Sequence, residues 1–349
     1  MNLKAYISSC AGRSLSDAER EFFTRERPCG LILFSRNCQE PGQLRSLIAS
    51  FRDAVGSDEV LILIDQEGGR VQRLRPPNWR SMPPARCYGE LYDSDPALAE
   101  RAAFAGARLI AQELYDVGIN VNCTPLIDVP EPGAHDIIGD RAFNADPAIV
   151  IALGRAVIKG TLAGGVLPVI KHVPGHGRAK ADSHHALPRI DAAADDLTAT
   201  DFRPFHALRD APLAMTAHVL MPAYDEQRPA TVSPVIMNQV IRDRIGLTGL
   251  VMSDDIGMNA LGGSIAERAR AVIDAGCDVA LHCSGVLAEM VAVGEAVPAL
   301  DAAAADRFAG ARAWLAEPQP FDKAEAMALV TEAAQTRMAS HAVDPTERA

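Results

Sequence analysis

The rhythm of this chain narrows its fold more than any other property. Eight short apolar runs recur, each followed by a stretch of helical periodicity: Leu3–Ser9, Gly30–Phe34, Val60–Asp65, Ile119–Asn122, Leu167–His172, Leu213–His218, Gly249–Asp254 and Asp278–His282. Several are unbroken rather than alternating, as in EVLILID around Leu61 and GLILF around Leu31. A strand that is apolar on both faces has to be covered on both, which is the situation of a parallel sheet wrapped by helices. The intervening segments carry helix-start chemistry. Ser16 with Glu19, and Ser264 with Glu267, match the capping box, in which hydroxyl and carboxylate each satisfy a free N–H of the first turn. Ser233 stands before Pro234, a capping hydroxyl ahead of a proline at the first helical position.

Eight strand–helix alternations without a break in composition predict an α/β fold, one single-domain (β/α)8 TIM barrel over residues 1–349, with a doubly wound open sheet as the alternative. Nearly every run ends in a polar or ionisable residue: Asp65, Asn122, His172, His218, Asp254 and His282. In a closed parallel barrel these ends share one rim, where catalytic groups gather, whereas an open sheet strings them along an edge. From about residue 300 the chain becomes Ala-rich. AAAADRFAGARAWL and AEAMALVTEAAQTRM read as a helical C-terminal segment of the catalytic domain, and the last residues, 341–349, are expected to fray.

With 48% apolar residues the chain can bury a large core, and its formal charge of −11 argues against nucleic acid or an anionic membrane as partner. No stretch approaches the ~20 consecutive apolar residues of a membrane span, and the opening MNLKAYISSC lacks the apolar core of a secretory signal. The seven cysteines (Cys10, Cys29, Cys38, Cys87, Cys123, Cys277, Cys283) form no CxxC pair, which argues against a disulfide framework or zinc knuckle. The expectation is a soluble, cytoplasmic monomer.

The richest stretch in chemistry is IKHVPGHGRAKADSHHALP, residues 170–188, which holds Lys171, His172, His176, Asp182, His184 and His185, including four of the nine histidines. Pro174, Gly175 and Gly177 break regular structure after the strand, so the segment reads as a rim loop displaying titratable groups. Two chemistries fit it. A metal-dependent barrel hydrolase would draw ligands from this 172–185 His/Asp loop, although no HxH or HExxH spacing preorganises them. The other is proton transfer. A second segment, LILIDQEGGRVQR, puts Asp65 at a strand end, a tight Gly68-Gly69 turn after it, and Arg70 and Arg73 beyond. A carboxylate flanked by guanidinium groups is a good receptor for sugar hydroxyls or an acetamido carbonyl. A third, LTGLVMSDDIGM, brings Ser253, Asp254 and Asp255 to the rim. Alternation along a strand lets at most one aspartate face the barrel axis, while the other caps the following turn. In a fourth, GDRAFNADP, Arg141 follows strand four and is, taken alone, an ordinary loop arginine.

Together these segments resemble the family 3 glycoside hydrolases, and within them the single-domain β-N-acetylglucosaminidases of bacterial peptidoglycan recycling. KHVPGHG followed by DSH and LP, then IDQEGGRVQR, GDRAFNADP and the strand-end SDD, carry the likeness between about Gly30 and Met258. Val173 departs from the aromatic residue common at its position. The resemblance implies that Asp254 is the nucleophile and His184 the acid/base, held by Asp182. It assigns Asp65, Arg73, Arg141, Lys171 and His172 to holding the terminal sugar, with His218 lining the pocket. It implies no cofactor and no metal, a cytoplasmic setting, and a carbohydrate substrate, GlcNAc-1,6-anhydroMurNAc and its peptides. The reaction would be retaining hydrolysis: Asp254 forms a covalent glycosyl-enzyme while His184 protonates the departing oxygen and later deprotonates water. A histidine suits that shuttle, because its unperturbed pKa of roughly 6.5 needs no large shift near neutrality. A sugar-binding protein without turnover is the remaining alternative, and it would require one of these two groups to be missing.

Overall fold

A computed structural model describes residues 3–133, 135–183 and 186–335. Among these residues eight parallel strands close into a barrel, each hydrogen-bonded to the next in sequence: β1 (Lys4–Ser8), β2 (Pro28–Leu33), β3 (Leu61–Ile64), β4 (Val121–Asn122), β5 (Leu167–Val173), β6 (Leu213–Thr216), β7 (Leu250–Asp255) and β8 (Val279–Leu281). β8 returns to β1 through the pairs Tyr6–Ala280 and Ile7–Leu281. Each expected apolar run overlaps one barrel strand. All residues of β2, β3 and β5 are buried, as strands covered on both faces must be. The open-sheet alternative is excluded by the β1–β8 closure.

Every connection is helical. α1 (Asp17–Glu26) and α2 (Pro41–Val55) follow β1 and β2; α3 (Ala85–Tyr92) and α4 (Pro96–Asp116) follow β3; α5 (Pro147–Ala163) follows β4. α6 (Ala194–Ala199) and α7 (Phe202–Ala207) follow β5, a π-helical segment (Ile236–Arg244) follows β6, and α8 (Ile265–Asp274) and α9 (Leu287–Ala296) follow β7 and β8. Both capping boxes form at the starts of α1 and α8, and Ser233 Oγ accepts the N–H of Ile236 at 3.2 Å. α10 (Ala302–Arg312) and α11 (Lys323–Gln335) are the two Ala-rich helices, and α11 packs across α4 and α3. The terminal residues expected to fray lie outside the described residues. No helix among the described residues is long and apolar enough to cross a membrane.

Two strands are two residues shorter than the expected runs. β4 is only two residues long, and Asn120 just before it bonds β3 with its backbone N–H, to Ile62 O at 3.1 Å, and with its side chain, accepting from Ile62 N at 2.7 Å and donating to Val60 O at 3.2 Å. β6 stops at Thr216, two residues before His218. Beyond β3 the chain folds into a small antiparallel hairpin, Gln66–Gly68 against Val71–Gln72. Its turn requires glycine: Gly68 and Gly69 have φ of +97° and +58°, and a Cβ on Gly68 would collide with the carbonyl of Pro83.

Candidate active site

A cleft opens at the carboxyl end of the strands, the face where barrel enzymes build their sites. Asp65, Arg73, Arg141, Lys171, His172, His176 and Asp254 border it, and Ile32, Phe34, Met215, Met258 and Leu281 supply apolar wall. The polar residues arrive on the ends of several strands or the loops behind them. Asp65 stands one residue past β3, Lys171 and His172 lie within β5, and Asp254 lies within β7.

One side of the cleft is a cage of ions. Lys171 Nζ lies 2.8 Å from Asp65 Oδ1 and 2.7 Å from Glu67 Oε1. Arg141 grips Glu67 with both Nε and Nη2, at 2.9 and 2.8 Å, and Arg73 Nη2 reaches Asp65 Oδ2 at 3.3 Å. Burial pushes the pKa of Asp65 up, but the Lys171 and Arg73 charges outweigh it and hold the carboxyl below its usual range. Glu67 behaves likewise and is held well below its usual range, burial being overcome by Arg141 and Lys171. Burial alone would lower Lys171 and Arg141, yet the facing carboxylates raise both. All these groups therefore stay ionised near neutral pH. A cage of fixed donors and acceptors suits a neutral ligand rich in hydroxyls, which must both give and receive hydrogen bonds.

Behind the next wall Asp128, fully buried, organises two histidines. Its Oδ2 receives Nδ1 of His172 at 2.7 Å, and its Oδ1 receives the backbone N–H of His176 at 2.6 Å. The N–H of His172 adds a third contact at 3.2 Å. The rings of His172 and His176 lie 5.8 Å apart. Burial, then the neighbouring His172, lowers the pKa of His176 to about 4, against a weaker opposing pull from Asp128. The loop that follows is stitched down by Glu131 N to Gly177 O and His135 N to Ala179 O. Arg178 adds pairs with Glu131 and Asp201 at 2.8 and 2.7 Å. Gly177 is obligatory there, since any Cβ would strike the carbonyl of Val129.

The paired aspartates divide their work as the sequence allowed. Asp255 Oδ1 accepts from Gly257 N and Cys283 N, at 3.0 and 3.1 Å, capping the turn and joining β7 to the end of β8. Asp254 Oδ1 accepts the backbone N–H of Asp255 at 2.8 Å, which orients its carboxylate. Both aspartates border the cleft, and the register between β7 and β8 shifts between Val279 and Leu281. Ser183 also borders the cleft, and its carbonyl accepts the N–H of Ala260, so the histidine loop reaches the segment after β7. Asp182 precedes it on that loop; His184 and His185 lie outside the described residues.

Three strand-end residues are structural. His218 stands behind the cleft, fully buried, its ring spent on Thr231 Oγ1 at 2.8 Å and the carbonyl of Asp255 at 2.9 Å, which corrects its expected place in the pocket lining. Asn122 pairs with the backbone of Gln66, and His282 with Ser284 and Glu289. Conversely, Glu67 and Asp128 were not singled out from sequence. Glu67 lies two residues from Asp65, the spacing that puts side chains on one face. Asp128 is a lone carboxylate in the apolar TPLIDVP, and such a group must find partners when buried. Among the described residues no group of three His, Cys, Asp or Glu side chains is arranged to hold a metal ion.

Fold and cleft together define a barrel enzyme for a polar, hydroxyl-rich ligand. Comparison with known proteins narrows this. Residues 5–310 match the model of the glycosyl hydrolase family 3 N terminal domain. A beta-hexosaminidase of Alkalilimnicola ehrlichii is 40% identical over 288 residues, 81% of this chain and 82% of that protein. One of Bordetella avium is 37% identical over 278 residues, 78% of this chain and 79% of the relative. Among solved structures, native NagZ from Neisseria gonorrhoeae superposes with a TM-score of 0.84 at 30% identity, over 97% of this chain and 99% of that one. A family 3 beta-N-acetylglucosaminidase from Paenibacillus sp. gives 0.83 at 30% identity, covering 95% of this chain and 67% of the other. This chain belongs to glycosyl hydrolase family 3.

Proposed function

We propose that this protein is a retaining exo-β-N-acetylglucosaminidase that releases terminal non-reducing GlcNAc through a covalent glycosyl-enzyme. One observation carries the reading: a carboxylate on β7, Asp254, borders the same cleft as the ionised cage of Asp65, Arg73, Arg141 and Lys171. The cage and His172 would hold the sugar's hydroxyls and acetamido group, so that its anomeric carbon meets Asp254. Attack by Asp254 forms the glycosyl–enzyme bond as the glycosidic oxygen leaves with a proton from His184. That imidazole, held by Asp182, then takes a proton from water, which cleaves the ester and returns Asp254 as carboxylate. Support comes from the family, from relatives named beta-hexosaminidase, and from the strand-borne position of Asp254.

The likeness to the peptidoglycan-recycling enzymes extends the proposal to a substrate, GlcNAc-1,6-anhydroMurNAc and its peptides, and to a cytoplasmic, monomeric protein working as one catalytic domain. Incubation with a 5-fluoro N-acetylglucosaminide followed by peptide mass spectrometry tests the mechanism. A sugar adduct on the peptide containing Asp254 is expected. An adduct on another residue, or turnover of good substrates with no adduct under any quench, refutes it.

A further inference from the structure

The loop that carries Asp182 leaves β5 and comes to rest on the turn that follows β7. On the β5 side it is pinned through Gly177, Arg178 and Ala179 to the segment after β4 and to Asp201. Residues 180–182 then lead to Ser183, which is buried and meets the β7 turn in two places. Its carbonyl accepts the N–H of Ala260 at 3.2 Å, and its hydroxyl donates to Met258 Sδ at 3.7 Å. The N–H of Ala186 donates to the carbonyl of Asp182 at 3.0 Å, so the chain on either side of Ser183 is tied together and follows wherever Ser183 is held.

The turn that receives Ser183 is fixed from several directions. Met258 N donates to Asp255 O at 3.2 Å, and the Met258 carbonyl accepts from Arg268 Nη1 at 3.0 Å and from Leu261 N at 3.3 Å. Asp255 Oδ1 caps the same turn through Gly257 N at 3.0 Å. Met258 stands four residues beyond Asp254, and its side chain borders the cleft. The post that catches the loop is therefore built on the strand that bears the proposed nucleophile. A thioether suits this place. It is long and unbranched, it is a weak acceptor for a buried hydroxyl that needs a partner, and it still presents apolar surface to the cleft.

We propose that Met258 is a positioning residue for proton transfer, its sulfur fixing Ser183 and through it the chain neighbours Asp182 and His184 relative to Asp254. The inference rests on the glycosidase reading above, in which His184 is the acid and Asp254 the nucleophile. A proton donor has to come within hydrogen-bond reach of the departing oxygen, and a displacement of about 1 Å can cost about 10²-fold. Tying the acid's neighbour to the nucleophile's own turn sets the spacing of the two groups across one glycosidic bond. Attack by Asp254 does not draw on Ser183, so loss of the catch is felt where the leaving group needs a proton.

The test compares two N-acetyl-β-glucosaminides, the 4-methoxyphenyl glycoside, whose leaving group needs a proton, and the 2,4-dinitrophenyl glycoside, which departs without one. Met258→Leu keeps the volume and removes the acceptor, while Ser183→Ala removes the donor. Each should lower the ratio of kcat/KM for the methoxyphenyl over the dinitrophenyl substrate by about three- to tenfold, the effect of one weak hydrogen bond. The double variant should shift the ratio no further than either single one, because both remove the same contact. A ratio unchanged in Met258→Leu, including equal losses on both substrates, overturns the proposal, as do additive shifts in the double variant. His184→Ala on the same pair separates the two readings: if it leaves the ratio unmoved, the assignment of His184 as the acid fails instead. The catch is then judged by amide hydrogen exchange. Exchange of the Ala260 N–H, which Ser183 O accepts, should quicken by about three- to tenfold in Met258→Leu, again the size of one weak hydrogen bond, and exchange at the wild-type rate overturns it.

Discussion

Replacing Asp128 with asparagine tests whether a residue that only touches His172 and the histidine loop governs activity. The carboxylate receives Nδ1 of His172 at 2.7 Å, the N–H of His176 at 2.6 Å and the N–H of His172 at 3.2 Å, all without access to water. With a carboxylate there, Nδ1 of His172 is held to the donor role, and Nε2 is the ring nitrogen left for a ligand in the cleft that the ring borders. Asparagine keeps the volume but can serve the two backbone donors only by turning its amide N–H2 toward Nδ1. Nδ1 must then accept, which reverses the roles the two ring nitrogens are held to, the inversion that disables an acid–histidine pair elsewhere. Losing the charge that these N–H groups share costs about 2–3 kcal/mol of stability. Spread over a chain of this length, with an unfolding entropy of roughly 2 cal/mol/K per residue, that lowers Tm by about 3–4 °C. On an aryl N-acetyl-β-glucosaminide, kcat/KM should fall by about 10–100-fold, equivalent to about 1.4–2.8 kcal/mol. The loss should exceed what the modest destabilisation can explain at 25 °C, where the variant remains folded. Wild-type kcat/KM in a correctly folded Asp128→Asn protein would refute the reasoning.

Glu67→Gln leaves Arg141 without its paired carboxylate and Lys171 with Asp65 alone. Stability should fall by about 3–5 kcal/mol and KM should rise more than kcat falls, read from thermal unfolding and steady-state kinetics; unchanged KM would remove Glu67 from the cage. His176, whose pKa is lowered to about 4 in the fold, destabilises on acidification. The unfolded chain binds its proton near pH 6.5, so between about pH 6.5 and 4 the unfolded state holds more protons. The stability lost over that window is about 3 kcal/mol and is complete below it. A His176→Phe variant should show a flatter Tm-versus-pH curve across that range, and an identical curve would contradict this account. His184→Ala should slow glycosides with poor leaving groups by about 10²–10⁴-fold while sparing dinitrophenyl glycosides, which depart without a proton. Equal losses on both would exclude His184 as the acid.

Much of the architecture is local and was legible in the chain alone. Unbroken apolar runs such as Leu61–Ile64 dictate strands covered on both faces, and Ser16–Glu19 and Ser264–Glu267 set helix starts through bonds spanning three residues. The motifs around Asp65, Lys171 and Asp254 marked the rim because a strand's end is decided by its own residues. Which strand-end residues face the ligand was not legible. His172 and His218 look alike in sequence, yet one borders the cleft and the other spends both ring nitrogens on Thr231 and Asp255. The partners that fix the site come from far along the chain: Asp65 is 106 residues from Lys171, Glu67 is 74 from Arg141, and Asp128 is 44 from His172. Only the parallel pairing of β3 with β4 and of β4 with β5 brings their ends side by side. Charges that would be solvated and independent in the unfolded chain become a buried set whose ionisation each member secures for the others.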